Sequence, residues 1–286
     1  MTGLRQRMIE DLRIRNYSPR TIETYIRRVA GFARHFGRSP ARLGSEEIRA
    51  YQVFLVQSRK VSWSVFNQTV AGLRFLYGVT LGQPGRVEQI PYPRQERRLP
   101  TVLSHEEVAR LLGAVRNLKH RTVLLTLYGT GLRLSEALGL EVSDVDGRRG
   151  LIRVRHGKGG KDRYVDLAPT LVEALRVYWR AYRPERWLFP GEATERPMHA
   201  TGVQKAFGLA RERARITKPA CIHTLRHSFA THQLEAGINL RRIQLQLGHS
   251  SLETTAIYLH VASRAVQSAD RSVDLLETLQ EQATAR

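Results

Sequence analysis

Apolar residues recur at helical spacing through most of this chain. The first part contains four such stretches, which cover residues 4–14, 22–36, 45–55 and 65–77. Before the second stretch, Ser18 and Pro19 have the form of a helix cap followed by proline at the first helical position. The pattern predicts a small bundle of four helices with arginines on its polar faces.

The periodicity stops between residues 82 and 100, where prolines, glycines and charged residues dominate. Such a composition is typical of a linker between domains. We therefore expect two domains, residues 1–90 and residues 104–286, joined by a linker over residues 91–103.

The second domain begins with helical signals. Ser104 and Glu107 have the spacing of a capping box, in which each residue satisfies a backbone amide of the other. The apolar run 122–128 predicts a buried helix, which we expect Gly129 and Gly131 to end. A new helix is then expected to start at Arg133.

Strands are predicted where polar and apolar residues alternate, at residues 151–155 and 163–167. The glycine-rich residues between them predict a hairpin turn, without the strand-to-helix context of a nucleotide-binding loop. Further helices are expected over about residues 169–182 and 199–215. The fold class is therefore mainly α: an N-terminal helical bundle and a mixed, mostly helical domain with a small antiparallel β-sheet.

The net charge of +20 favours a polyanionic partner, to which both halves of the chain could bind. Six of the 46 basic residues are lysine, which leaves 40 arginines, and arginine favours phosphate recognition. Residues 1–95 carry half of the net charge. We expect the N-terminal bundle to hold DNA; a regulatory or dimerisation module is the alternative. Charge alone does not distinguish DNA from RNA or from an acidic protein.

The single cysteine, Cys221, excludes an intramolecular disulfide and a cysteine-based zinc cluster. No apolar run approaches the length of a membrane span, and the first residues do not resemble a signal peptide. These features predict a cytoplasmic protein that does not associate with membranes.

The candidate chemistry lies in a 36-residue stretch that contains His223, Arg226, His249 and Tyr258. A tyrosine hydroxyl can attack a phosphodiester and form a covalent bond to phosphorus. Arginine suits the negative charge that develops on the phosphate oxygens, and imidazoles can move a proton or donate to those oxygens. Taken singly, the tyrosine reads as a core aromatic, the histidines as structural residues and the arginine as a surface charge. The combination favours catalysis.

Two further features bear on this site. Glu136 follows Arg133 by three residues, so it either holds that arginine in place or forms an ordinary surface pair. His223 and His227 have the spacing of a zinc-binding pair, but no acidic residue stands between them as it does in the H-E-x-x-H motif, so zinc is not expected.

Four motifs give the chain a resemblance to a known family. They read GTGLRLSEALGL, HGKGGKDR, HTLRHSFATHQLEAG and LGHSSLETTAIYLHV. In this order they resemble the tyrosine recombinases, also called the phage-integrase family, and are most similar to the Xer and integron-integrase branches. The resemblance covers nearly the whole chain and implies a core-binding domain followed by a catalytic domain.

The resemblance also implies a role for each site residue. Tyr258 matches the nucleophile, and Arg133 and Arg226 match the two arginines that hold the scissile phosphate. His223 matches the general acid/base position. His249 matches the histidine that hydrogen-bonds the phosphate.

Lys158 matches the hairpin lysine that acts as general acid toward the 5′-oxygen; Lys161 is the weaker candidate. Glu136 matches the acidic residue that supports the first arginine. The 65-residue interval from Lys158 to His223 leaves no room for the extra helix of integron integrases, which argues against folded single-stranded substrates. A tail helix over residues 265–282 resembles the helix that docks on a neighbouring protomer; packing on its own domain is the alternative.

By this resemblance, the protein is a site-specific recombinase that cuts and rejoins duplex DNA through a 3′-phosphotyrosine and a Holliday junction, for integration, excision or resolution. Its implied partners are double-stranded DNA with inverted-repeat sites and other copies of the chain in a homotetramer, with or without a second recombinase. No metal or cofactor is expected, because the arginines and Lys158 would supply the positive charge that a metal supplies in two-metal nucleases. The sequence also shows no carboxylate cluster. The alternatives are a type IB topoisomerase-like enzyme and a non-enzymatic DNA-binding protein.

Overall fold

A computed structural model describes residues 2–88, 90, 99–155 and 162–262 of the chain. It divides the chain into two compact units, Met1–Arg97 and Arg98–Arg286. In the described part, the chain is mainly helical with one small antiparallel sheet, which confirms the predicted fold class. None of the helices in these ranges combines the length and the apolar character that crossing a bilayer requires.

The described residues of the first unit form the predicted bundle. Its helices are α1 (Gly3–Ile14), α2 (Pro19–Phe36), α3 (Ser45–Val53) and α4 (Trp63–Phe75). Ser18 caps α2 by accepting from the Thr21 amide, and Pro19 occupies the first turn, as the sequence predicts. Wider turns of π-helical type follow α3 and α4, at Phe54–Ser58 and Leu76–Thr80.

Apolar side chains from all four helices meet in one core in this first unit. Phe32, Leu73 and Leu76 are fully buried there. Tyr77 is buried too, and its hydroxyl donates to the carbonyl oxygens of Pro40 and Leu43, at 2.8 and 3.2 Å. This contact fixes the α2–α3 connection against the end of α4.

The second unit contains eight helices and three strands in its described residues. The helices are α5 (His105–Gly113), α6 (Leu118–Thr130), α7 (Leu134–Leu138), α8 (Pro169–Tyr182), α9 (Ala200–Arg213), α10 (Ile222–Glu235), α11 (Leu240–Leu247) and α12 (Leu252–Ala256). The strands are β1 (Val145–Asp146), β2 (Leu151–Val154) and β3 (Arg163–Asp166). Ser104 and Glu107 form the predicted capping box of α5.

The sheet has the order β1-β2-β3 and is antiparallel, with Ile152 opposite Val165 in the two longer strands. The sequence predicts β2 and β3 but not β1, because two residues are too few to show an alternating pattern. Both Ile152 and Val165 are buried, so one face of the sheet joins the main core of this unit.

Helix α6 runs through the centre of this core, and its end differs from the prediction. Gly129 lies inside the helix, which continues to Thr130; only Gly131, at φ +66°, ends it. A glycine inside a helix costs about 1 kcal/mol relative to alanine. Here it gives room to Leu171, whose side chain lies 3.0 Å from where a Cβ would stand. Leu103, at the end of the expected linker, is fully buried in the same core.

Candidate active site

Arg133 stands at the junction between α6 and α7. The left-handed backbone of Gly131 turns the chain after α6, and Arg133 then takes the N-cap position of α7. Its Nη1 donates to Oε1 of Glu136 at 2.8 Å, and its backbone amide donates to Oε2 at 2.9 Å. The Glu136 carboxylate therefore holds the Arg133 guanidinium in place, while 27% of the arginine side chain stays exposed.

Glu136 is the anchor of this arrangement. Its side chain is only 8% exposed, so the reading of an ordinary surface pair is wrong. Burial alone raises the pKa of a carboxyl group, but the hydrogen bonds and charges of Arg163 and Arg133 outweigh it and lower the pKa of Glu136 to about 2. The carboxylate is ionised at neutral pH and fixes two arginines.

Arg226 is the most buried charged side chain of the site, at 2% exposure on α10. Its Nη1 donates to the Gly131 carbonyl at 2.6 Å, and its Nη2 donates to the Leu247 carbonyl at 2.7 Å. These carbonyls stand at the C-terminal ends of α6 and α11, where helix backbones lack intrahelical partners. Burial, followed by the charge of Arg133, lowers the pKa of Arg226 to about 10, so it keeps its charge at neutral pH.

Tyr258 lies in a 3₁₀ turn, Ile257–His260, that directly follows α12. It is 2% exposed and packs with Phe229 and Leu247. Its Oη lies 3.0 Å from Nδ1 of His227 on α10. Burial raises the pKa of the Tyr258 phenol, and the charges of Arg226 and Arg133 act in the opposite direction.

The two predicted histidines differ in their surroundings. His223 is exposed, one turn before His227 on α10, and the two rings meet edge to face with centroids 4.6 Å apart. His249 lies in the connection between α11 and α12, as predicted, and its Nδ1 is 2.9 Å from Oγ1 of Thr255. The His249 ring is nearly parallel to that of Tyr258, at a centroid distance of 6.5 Å.

The fold thus gathers most of the residues that the sequence singled out. Arg133 and Glu136 form one pair, and Arg226 is joined to it through Gly131. Arg226 shares α10 with His223 and with His227, which contacts Tyr258. Lys158 and Lys161 are outside the described residues. The catalytic role of each residue stays a prediction.

Sequence reasoning missed two residues of this site. Arg163, on β3, donates to both oxygens of Glu136, and only its position next to the glycine-rich turn could have suggested it. His227 was considered solely as a zinc ligand; its place one residue after Arg226 was the available signal. Among the residues that the structure describes, no group of three or more His, Cys, Asp or Glu is arranged to hold a metal ion.

Comparison with protein families decides the identity of this fold. The model of the phage integrase family matches residues 101–264, and the model of the phage integrase N-terminal SAM-like domain matches residues 4–85. The chain belongs to the phage integrase family. This confirms the resemblance to tyrosine recombinases, enzymes that cut and rejoin DNA in site-specific recombination.

Individual relatives agree with this membership. The putative integrase/recombinase y4qK of Sinorhizobium fredii is 47% identical over 277 residues, which cover 96% of this chain and 90% of the relative. Tyrosine recombinase XerA of Thermococcus kodakarensis is 37% identical over 231 residues, covering 79% and 82% of the two chains.

A solved structure shows the same fold. It is the XerH site-specific recombinase bound to its palindromic difH substrate in a post-cleavage complex. The TM-score is 0.72 at 23% identity, and the match covers 89% of this chain and 80% of XerH. At that identity the match speaks for the fold alone.

Proposed function

We propose that this family member recombines DNA by a nucleophilic attack of Tyr258 on the scissile phosphate. The new bond joins Oη to phosphorus, the bond from phosphorus to the 5′-oxygen breaks, and a 3′-phosphotyrosine and a free 5′-hydroxyl result. The covalent linkage conserves the energy of the phosphodiester. A 5′-hydroxyl of another strand then reverses the step, so rejoining needs no nucleotide cofactor.

The observation that carries this proposal is the pair of arginines beside the buried phenol. Arg226 is fixed by two carbonyl oxygens and Arg133 by Glu136, so both are positioned before DNA arrives. Preorganised donors stabilise developing charge without reorganisation during the reaction. The partly exposed Arg133 would grip the phosphate from the open side, and the buried Arg226 from within the protein.

The remaining roles follow the same geometry. His249, held by Thr255, would donate to a phosphate oxygen, while the exposed His223 would exchange protons at the open side of the site. Lys158 would give the departing 5′-oxygen its proton.

DNA is the substrate of the family, and the net charge of +20 suits it. We further propose that the sites are inverted repeats and that four copies assemble on two duplexes and exchange strands through a Holliday junction. The palindromic substrate of XerH is in keeping with inverted-repeat sites. The two halves of such a site mirror the symmetry of the protein bound to them. The reaction would take place in the cytoplasm.

Replacement of Tyr258 by Phe tests the proposal. The substrate is a duplex that the wild-type protein selects from random-sequence DNA, prepared as a set of nicked versions that trap the cleaved state. Tyr258→Phe should bind it with unchanged affinity and form no covalent protein–DNA adduct on a denaturing gel. Tyr182→Phe, at a half-exposed position of α8, is the matched control and should form adducts normally.

An adduct in the Tyr258→Phe protein would show that another residue is the nucleophile. The same selected duplex, cloned into a plasmid, distinguishes recombination from simple relaxation. Strand exchange between two such sites is expected. Relaxation by a monomer without regard to site would instead assign the enzyme to the topoisomerase-like class.

A further inference from the structure

The proposed nucleophile has a partner to which the sequence reasoning gave no catalytic role. Oη of Tyr258 and Nδ1 of His227 are 3.0 Å apart, within the range of a good hydrogen bond. Within the described part of the chain, His227 is the one side chain that hydrogen-bonds this oxygen. The two residues are 31 positions apart, so the contact depends on how α10 and the turn after α12 pack together.

Attack by a phenol requires that its proton go to a nearby base. With an ordinary pKa of about 10, roughly one phenol in a thousand is ionised at neutral pH, and burial raises the pKa of Tyr258 further. His249 already uses Nδ1 in its contact with Thr255. His223 is exposed and reaches the ring of His227 rather than the phenol oxygen.

We propose that His227 is the general base that accepts the proton of Tyr258 during DNA cleavage. The inference rests on the proposed function of Tyr258. As Oη forms its bond to phosphorus, the O–H bond breaks and the proton moves to Nδ1. The electron pair of the broken phosphorus–oxygen bond stays on the 5′-oxygen, which takes a proton from the general acid. In the rejoining step, the imidazolium returns the proton to the departing phenolate.

The surroundings of His227 set its protonation state. Burial, then His223 and then Arg226, lower the pKa of His227 to about 4, so the imidazole is neutral in the free protein and Nδ1 can accept. These two residues lie on α10, and Tyr258 faces it from the turn after α12. A phosphate bound by Arg226 brings negative charge beside the ring. That charge raises the pKa toward the working pH, where a general base is most effective.

His227→Asn provides the test. Asparagine keeps a short polar side chain that can hydrogen-bond the phenol, but it has no basic nitrogen. With the nicked duplex, the single-turnover rate of adduct formation near neutral pH should fall by about a hundredfold or more, with DNA affinity unchanged. The defect should shrink about tenfold for each pH unit above neutrality, because hydroxide then replaces the base.

A chemically altered substrate distinguishes loss of the general base from loss of the general acid. Sulfur in place of the 5′-bridging oxygen gives a leaving group that needs no proton. His227→Asn should stay slow on this substrate, whereas Lys158→Ala should recover a rate near that of the wild type. Three results for His227→Asn would each overturn the proposal. They are a wild-type rate on the sulfur-substituted substrate, a near-normal rate on ordinary DNA, and a loss of rate that is the same at every pH.

Helix α10 offers a matched control. His232 lies on the same helix, and its Nδ1 is 2.8 Å from the hydroxyl of Tyr128, so it forms the same kind of pair away from the nucleophile. His232→Asn should leave the rate and its pH profile unchanged; a similar pH-dependent defect would show that His227 acts through helix packing. If His227→Asn does not fold, His227→Gln serves instead. Adducts in Tyr258→Phe would defeat the proposed function, whereas normal cleavage by His227→Asn would defeat this inference alone.

Discussion

Arg163 donates to both carboxylate oxygens of Glu136, from Nη1 at 3.0 Å and from Nη2 at 2.8 Å. Its Nε donates to the Gln246 carbonyl at 3.1 Å, at the end of α11. At Gly248, a Cβ would stand 2.9 Å from the guanidinium carbon. One side chain of β3 therefore links the segment that carries Arg133 to the segment that leads to His249.

Replacement of Arg163 by Ala should disturb both segments. It leaves Glu136 buried with one partner fewer, and removal of one partner from a buried ion pair costs about 3–5 kcal/mol. We expect a large drop in thermal stability of the second unit and loss of adduct formation. Arg163→Lys should recover only part, since an ammonium group cannot bind both oxygens in the same plane.

Arg242 provides a control for Arg163, because it also connects α11 to β3. Arg242 on α11 pairs with Asp166 on β3 at 2.9 Å, but both side chains are more than half exposed. Arg242→Ala should change the free energy of unfolding by less than about 1 kcal/mol. If Arg163→Ala and Arg242→Ala lowered the free energy of unfolding equally, the structural importance assigned to Arg163 would be wrong.

The ionisation of Glu136 predicts how stability depends on pH. Its folded pKa of about 2 lies below its value in an unfolded chain, about 4.3. The stabilisation is therefore complete above the unfolded pKa and is lost as the pH falls toward the folded pKa. Glu136→Gln should be less stable at neutral pH by roughly 2–3 kcal/mol. Denaturant unfolding at several pH values should show this difference shrinking between about pH 5 and pH 2; parallel curves for the two proteins would count against it.

Gly131 should tolerate no side chain. Its backbone has φ +66°, and an added Cβ would lie 2.5 Å from the ring of Phe229 and 2.8 Å from Leu247. Gly131→Ala combines left-handed strain with overpacking, together about 3 kcal/mol. Because the Gly131 carbonyl also positions Arg226, we expect slower DNA cleavage in the protein that still folds.

Gly237 separates these two causes. It also has a positive φ, +82°, but an added Cβ would meet nothing within 4 Å. Gly237→Ala should therefore cost only the strain, about 1–2 kcal/mol, and should leave cleavage unchanged. Calorimetry of both variants, with cleavage assays on the selected duplex, makes the comparison. If Gly131→Ala lost no more folding stability than Gly237→Ala, the side chains of Phe229 and Leu247 would have to move aside at little energetic cost.

Chelation of metal ions tests whether side chains or a bound metal supply the positive charge at the phosphate. If Arg133, Arg226 and Lys158 neutralise the phosphate, adduct formation should continue at an unchanged rate in excess EDTA. The control is the same reaction with added Mg²⁺. A loss of cleavage in EDTA that Mg²⁺ restores would indicate a metal-dependent nuclease.

Much of this molecule could be predicted from local patterns. The helices of the first unit, the two longer strands and the caps at Ser18 and Ser104 follow from spacing along the chain, because each depends on contacts within a few residues. The motif residues Arg133, Arg226, His249 and Tyr258 could also be named, because their order along the chain matches a family.

The rest depends on contacts between distant segments. Arg163 reaches Glu136 across 27 positions and His227 reaches Tyr258 across 31, so no local pattern contains either pair. Gly129 and Gly131 look equivalent in sequence; packing of Leu171 against α6 and the positive φ of Gly131 decide which one ends the helix. The sequence alone determined which candidate reactive groups the chain carries. Only the tertiary structure decided which neighbours orient them and which imidazole faces the phenol, because hydrogen bonds depend on distance in space rather than on order along the chain.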